Sequence, residues 1–577
     1  MYHTLKSLFL ILLSSLMFLA CQEPGTANHA QKISLLYNQH AYFEEGPKLA
    51  LLAPEIDLFV LLDEQGKEVF RAVPEPAQYW EASGDSVRKV DFSDLRKTGT
   101  YTVVLQGCDE RHQLTISADA YRELSISALK AFYLNRTSIP IEEEYAGPWA
   151  RPAGHPDTLV YVHASAADDL RPEGTVISSP LGWYDAGDYN KYVVNSGITT
   201  YTLLRALEDQ RSYYDELEVN IPESGSGLPD LLSELLFNLR WVLSMQDPND
   251  GGVYHKLTTR QFEDFVMPHE ATNPRYVVAK STAAALNYAA LSAAAARILE
   301  PWSDQLPGLA DSCRVAAEKA WKWAYAHPEL YYQQPADIAT GAYGDDNLSD
   351  EWFWAAAELY LLNGKEAYKE VLMQQYAQPQ VPSWNQVETL GFYSLLSRYD
   401  ELPDELRELG LRSDFLDLAA RLVHVSEQSP YGVSIQHFVW GSNSQVANEG
   451  MIKLFAHALS GQSQYLNSAV SDIDYIMGRN ATAYCFITGF GTRRVFNIHH
   501  RPAAADGIDD PIPGFLVGGP NLATFEDCPD AERSTFPAKS FVDLECSYST
   551  NEIAINWNAP LVYLLGGLDA RMTRYSK

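Results

Sequence analysis

The hydrophobic pattern changes period once along the chain, at about Asp119, and this change limits the fold more than any single motif does. Before it lie six short runs rich in Val, Leu, Ile and Phe: "KLALLA", "DLFVLL", "EVFRAV", "VRKVDF", "TYTVVL" and "HQLTIS". Turn signals such as "DEQGK" and "RKTG" separate them, as consecutive strands require. The spacing predicts a small all-β sandwich with immunoglobulin-like strand spacing over residues 32–118. From "AYRELSISALKAFYLNR" to "NEIAINWNAPLVYLLGGL", apolar residues then recur at helical spacing. About ten to twelve such stretches predict a mainly α domain over residues 119–577, a barrel of helical hairpins. Function in such a barrel belongs to the loops at one end.

The first residues read as an export signal. "MYHTLKSLFLILLSSLMFLAC" has a short polar start with Lys6, then an apolar run from Leu8 to Leu19. That run is shorter than the ~20 residues of a membrane-spanning helix and suits a signal peptide over residues 1–20. Ala20–Cys21 at its end resembles a bacterial lipoprotein signal, with residues 21–31 as a lipidated tether. The expected place is across the inner membrane, anchored at the cell envelope by lipid. Five further cysteines are scattered without a Cys-x-x-Cys pair, which argues against a zinc ribbon. Cys528 and Cys546 are a candidate disulfide in an oxidising compartment, with buried thiols expected for most of the rest.

A net charge of −32 excludes nucleic acid as a partner. Chemistry concentrates in three stretches. "GWYDAGDYNKY" sets Asp185 and Asp188 three residues apart among Trp183, Tyr184, Tyr189 and Tyr192. Alone, the pair fits a polar loop, half a metal site, or a site that holds one water beside a sugar. "FVDLECSYSTNEIAINWNAP" carries Asp543, Tyr548 and Glu552, with Glu552 expected at a helix start, where the macrodipole holds an acid. "ITGFGTRRVFNIHHRP" carries His499 and Arg501, a poor cation site beside a guanidinium but a suitable rim for hydroxyl-rich ligands.

Taken together these segments resemble glycoside hydrolase family 9, over about four-fifths of the chain. The C-terminal signature is present as Phe541, Asp543, Tyr548, Glu552, Ala554, Asn558 and Ala559, and the His-x-Arg signature as His499 and Arg501. Cys485 departs from the small hydroxyl or Val usual at its position. "IPESGSGLPDLLSE", "MQDPNDGGVYHKLT", "YGDDNLSDEWFWAAAEL" and "WGSNSQVAN" are similar to further family segments. The resemblance implies an (α/α)6 barrel preceded by an immunoglobulin-like module. It also implies inverting hydrolysis of β-1,4-glucosidic bonds in cellulose-like or mixed β-glucans and cello-oligosaccharides.

By the same resemblance, Asp188 is the base, Glu552 the acid, and Asp185 holds the attacking water. His499, Arg501, Tyr548, Trp440 and Trp384 are candidates for sugar contacts. No cofactor is needed for the chemistry. Many members bind calcium, and "DDNLSDE" offers Asp346, Asp350 and Glu351 as oxygen ligands; a helix cap explains the same residues. Some members hold a structural zinc before the first acidic loop. Here Gly154 replaces the Cys needed beside His155, so no zinc is expected there. Two other readings stay open: an exo-acting cellodextrinase, glucosidase or glucosaminidase, and an inactive glycan-binding lipoprotein. The insertion-like "YVHASAADDLRPEGTVISSP" is a candidate for narrowing the cleft. Oligomeric state is left open.

Overall fold

The computed structural model describes residues 34–575. The expected signal peptide and the whole of the expected tether lie outside them. All six predicted strands are present, at Leu49–Leu52, Phe59–Leu62, Glu68–Ala72, Asp85–Asp91, Gly99–Leu105 and Arg111–Ser117. Three two- or three-residue strands, Leu35–Leu36, Tyr42–Phe43 and Gln78–Trp80, complete a four-stranded and a five-stranded sheet. They are too short to show alternation, which is why the pattern misses them. Alternation fills the core: Tyr101, Val103 and Leu105 point inward, as do Leu114 and Ile116 on the paired strand.

The rest is mainly helical. The helices divide by composition. Thr282–Ile298, "TAAALNYAALSAAAARI", is apolar or small almost all round and is buried on nearly every side, as a central helix must be. Leu309–Ala326 is amphipathic; Ala310, Cys313, Ala317, Ala320 and Ala324 face inward while Asp311, Lys319 and Lys322 face solvent. Val193–Asp209 packs between Thr282–Ile298 and the C-terminal helix Ile555–Tyr575, which in turn packs on Ser442–Ser460. This gives the inner wall of the barrel.

The helical reading missed one element. A five-stranded sheet interrupts the barrel in the order Val176–Ile177, Val160–Val162, Arg275–Lys280, Tyr254–Thr258, Lys191–Tyr192. Tyr254–Thr258 is buried at every position, so no period-2 signal exists in it. The insertion-like stretch supplies the edge hairpin, with Tyr161 paired to Val176 on one side and to Tyr276 on the other.

Sandwich and barrel form one compact unit, Leu35–Lys577. Asn38 donates to Asp474 at 2.8 Å, Trp80 packs on Tyr431, and Lys539 pairs with Asp85 at 2.6 Å. Lys539 lies just ahead of the Glu552 segment, so the sandwich braces the loop that leads there. Cys528 and Cys546 form a disulfide, while Cys313 and Cys485 are buried thiols and Cys108 is a half-buried one.

Candidate active site

The aromatic residues around Asp185 and Asp188 are core. Trp183, Tyr184, Tyr189 and Tyr192 are each at most 1% exposed. Trp183 Nε1 donates to Glu234, Arg275 holds the Tyr189 carbonyl, and Lys191 binds the Leu181 carbonyl. Lys191 and Arg275 both pair with the buried Asp157, at 2.7 and 3.1 Å. The loop is therefore pinned at both ends before its acids are placed.

The two acids are held differently. Asp185 accepts Asn195 on Oδ1 at 2.6 Å and the Tyr343 hydroxyl on Oδ2 at 2.8 Å. Asp188 accepts Asn190 and, at 3.1 Å, the Tyr192 hydroxyl, both on Oδ2. Oδ1 takes neither of these bonds. Burial, followed by the Asp188 charge, pushes the Asp185 carboxyl up to about 8. Asn195 stands in the first turn of Val193–Asp209, and Tyr343 precedes the second acidic loop. Neither lies in a motif that marks it as a partner of Asp185, so both were missed.

Glu552 meets this loop at Gly187. The Gly187 N–H donates to Glu552 Oε1 at 3.2 Å. A Cβ on Gly187 would stand 2.2 Å from the His499 carbonyl oxygen and 3.1 Å from Glu552 Oε1. No side chain fits there, which gives the glycine between the acids a steric reason. Glu552 is not at a helix start as expected. It follows the short helix Tyr548–Asn551 in extended conformation, and the long helix begins at Ile555. The Ile555 N–H bonds the Asp185 carbonyl at 2.9 Å, joining the two acidic segments. Burial, then Asp188, raises the Glu552 carboxyl well above the usual range, against the Gly187 N–H that lowers it.

The remaining signature residues build this contact. Asp543 accepts the N–H groups of Phe496 and Asn497 at 2.9 and 2.7 Å, setting up the bridge between His499 and Glu552. Asn558 accepts from Leu516 and donates to the Ala128 carbonyl, tying the last helix to the first. Arg501 donates to the carbonyls of Gly187 and Glu263, at 2.8 and 2.7 Å, so these bonds hold the acid loop. Its guanidinium lies over Phe265 and Phe262, two half-exposed rings the sequence reading did not single out.

His499 Nδ1 donates to the Glu545 carbonyl at 2.7 Å. A carbonyl only accepts, so Nδ1 carries the proton; burial lowers the ring's pKa, and the neutral ring keeps Nε2 as an acceptor. Tyr548 stacks on Trp440 at 5.5 Å and meets His499 edge-on. Both rings are open to solvent, Trp440 at 44%. Trp384 is half-buried and touches Tyr343, one residue removed from Asp185.

The second acidic loop has another character. Asp346 is exposed. Asp350 and Glu351 open the helix Ser349–Asn363, and Asp350 Oδ2 accepts the Val387 N–H at 2.8 Å. Asp345, Asp350, Glu351 and the nearby Glu388 each keep one buried oxygen without a hydrogen-bond partner. Burial raises the carboxyls of Asp350 and Glu351, and Asp350 raises Glu351 further. Among the described residues no three His, Cys, Asp or Glu side chains are placed to hold a metal by themselves. Oxygen donors with spare lone pairs nonetheless suit calcium when backbone carbonyls or waters complete the shell. His155 Nδ1 is engaged by the Tyr184 hydroxyl at 2.8 Å.

Comparison with known proteins shows the family to which the chain belongs. Residues 121–565 match glycosyl hydrolase family 9, and residues 30–110 match the cellulase N-terminal Ig-like domain. The chain is 42% identical over 560 residues to a xyloglucan-specific endo-β-1,4-glucanase of Bacteroides ovatus, covering 92% of this chain and 93% of that one. It is 30% identical over 552 residues to endoglucanase D of Acetivibrio thermocellus, covering 94% and 84%. A solved Bacteroides ovatus GH9 structure superposes with a TM-score of 0.88 at 41% identity, covering 93% and 99%.

Proposed function

Given that the chain belongs to glycosyl hydrolase family 9, as a glycoside hydrolase of endo-β-1,4-glucanase type, we propose that it cleaves the β-1,4-glucan backbone of xyloglucan or a similar soluble glucan. We assign Asp188 as the base and Glu552 as the acid. The observation that carries the pairing is the Gly187 contact, which puts the Glu552 carboxyl beside the residue that precedes Asp188.

Each role follows from the environment. Inversion needs a protonated acid on one side of the glycosidic bond and an ionised base on the other. The two stand about 6.5–9.5 Å apart to admit a water. Glu552, raised by burial and by Asp188, holds its proton to higher pH than an exposed carboxyl does and delivers it to the leaving oxygen. Asp188 keeps Oδ1 for the water, because Asn190 and Tyr192 both bind Oδ2. Asp185 orients that water with the lone pairs left by Asn195 and Tyr343. Trp440 and Tyr548 offer a stacked platform for a sugar face, and His499 Nε2 an acceptor for a hydroxyl.

Purified protein incubated with xyloglucan, carboxymethylcellulose and cellohexaose tests this. A rapid fall in xyloglucan viscosity with little monosaccharide supports endo action on that polymer. One steady small product from cellohexaose and no viscosity loss supports the exo-acting reading instead.

Three lesser assignments stay proposals. Of the expected calcium ligands Asp346, Asp350 and Glu351, the two buried ones, Asp350 and Glu351, hold a calcium ion that acts on stability, with backbone carbonyls or waters completing the shell, supported by their unpartnered oxygens. Cys21 carries a lipid at the cell envelope, supported by the sequence before it; palmitate labelling lost in Cys21→Ala tests it. The domain limits are 32–118 and 119–577, supported by the last sandwich strand ending at Ser117 and the first helix starting at Arg122.

A further inference from the structure

Lys256 lies in the middle of the strand Tyr254–Thr258, directly opposite Tyr192 on the strand that follows the Asp188 loop. Its side chain is fully buried. The ammonium donates to the Gly341 carbonyl at 2.7 Å, to Gln334 Oε1 at 3.0 Å and to Thr340 Oγ1 at 3.2 Å. Three N–H groups and three neutral acceptors make a complete shell for the charged form. The buried lysines Lys191 and Lys453 each ion-pair directly with a carboxylate, and so does Lys280. Lys256 does not, and neither does Lys48 in the sandwich, which donates to the carbonyls of Phe43, Glu44 and Gly46. A buried cation without an adjacent anion is costly, so its place in the fold needs a reason.

The reason lies across Tyr192. Lys256 Nζ stands 5.7 Å from the centroid of the Tyr192 ring, and the hydroxyl of that ring donates to Asp188 Oδ2 at 3.1 Å. We infer that Lys256 is a positioning residue that keeps the Asp188 carboxylate ionised and aimed, acting through Tyr192. This rests on the reading of Asp188 as the base. A cation behind the phenol makes its O–H a stronger donor toward the carboxylate, and the charge itself favours the anion.

The other groups around Lys256 leave that role to it. His255, next on the strand, is neutral, pushed down to about 3 by burial, and is stacked on Tyr332. Tyr332 supplies a second ring 5.6 Å from Nζ. Val278 faces Lys256 from the strand Arg275–Lys280, and the 334–341 segment contributes the neutral acceptors named above. Tyr343 packs on Tyr192 but spends its hydroxyl on Asp185. Asp188 is the one carboxylate that acts electrostatically on Lys256, raising its pKa, while burial lowers it to about 7. The cation is thus present through the acid range, where a base is at risk of protonation, and fades above neutrality.

The test is kcat/KM against pH from 4 to 8 for wild type, Lys256→Met, Lys256→Arg and Gln334→Met, with Asp188→Asn alongside. Lys256→Met should move the acid limb up by about one pH unit. Well below the wild-type limb that is a loss of about tenfold, and above the limb it vanishes. Lys256→Arg keeps the charge and should hold the limb within about 0.3 unit. Gln334 is exposed, so Gln334→Met should fold. It should shift the limb the same way by less, and it decides alone if Lys256→Met does not fold. A merely structural role lowers the whole profile without moving the limb, and an unmoved limb in the folded variants overturns the inference. If Asp188→Asn is inactive in that case, only the Lys256 role fails. If Asp188→Asn is active, the base assignment fails and takes the Lys256 role with it.

Discussion

The loop at Asp185–Asp188 and the loop at Asp345–Glu351 are both short, acidic and followed closely by a helix, yet their carboxylates are held by different partners. In the first, Asn195, Tyr343, Asn190 and Tyr192 donate to the two acids, and Lys256 stands behind one of them. Neutral donors fix where each oxygen points without binding a cation directly to it, as an acid that must act on a water requires. In the second, Asp345, Asp350 and Glu351 each keep a buried oxygen with no donor, while backbone N–H groups of Asn347 and Val387 take others. Buried lone pairs of that kind cost stability unless a cation takes them. Similar sequences therefore predict opposite sensitivities: the first loop to chemistry, the second to cation supply.

The largest effect that separates them is on turnover. Glu552→Gln should lose about 10³- to 10⁴-fold in kcat on xyloglucan. It should lose far less on an aryl cellobioside whose leaving group needs no proton, read as released phenolate. Equal losses on both substrates would remove the acid role from Glu552. Substitution in the second loop, as Glu351→Gln, should instead leave kcat within about threefold and lower the melting temperature by several degrees.

Removing calcium should sharpen the contrast. Chelator treatment of wild type should lower Tm by about 5 °C, restored by added calcium, and should have no effect in Glu351→Gln. A Tm indifferent to chelator and calcium would return the second loop to a helix-capping role.

Stability against pH gives a smaller signal of opposite sign in the first loop. Asp185 is raised from 3.8 to about 8. The folded state therefore holds that proton more tightly than the unfolded chain does. The stability this contributes is fully present below about pH 4 and is lost as pH rises toward 8. Asp185→Asn removes the titration, so its Tm should gain on wild type by a few degrees between pH 5 and pH 8. A constant difference across that range would contradict the raised carboxyl. Smallest of all, Trp440→Ala should raise KM a few-fold with kcat unchanged, since its exposed ring stacks only on Tyr548.

Much of the first loop was legible from residue types and spacing. The strand-to-helix change near Asp119 marks the two folds, and the six longer strands show their alternation because one face of each packs inward. The edge strands and the inserted sheet were not legible, because two residues carry no period and Tyr254–Thr258 is buried throughout. The partners of the acids were hidden for a related reason. Asn195, Tyr343 and Lys256 come from three separate elements, and only the fold brings them to the loop. Arg501 was visible as a signature residue but not its bonds to the Gly187 and Glu263 carbonyls. Glu552 was legible as an acid in a signature, yet its place before the helix depends on the Gly187 contact, which no local pattern encodes.

The central claim is that the two acids of the first loop are unequal: Asp188 takes the proton, and Asp185 orients the water. Initial rates on xyloglucan for Asp188→Asn and Asp185→Asn, measured together at one pH, test it directly. The account predicts a residual kcat near 10⁻³ of wild type or less for Asp188→Asn, and about one to ten per cent for Asp185→Asn. Equal residual rates, or a more active Asp188→Asn, would contradict it.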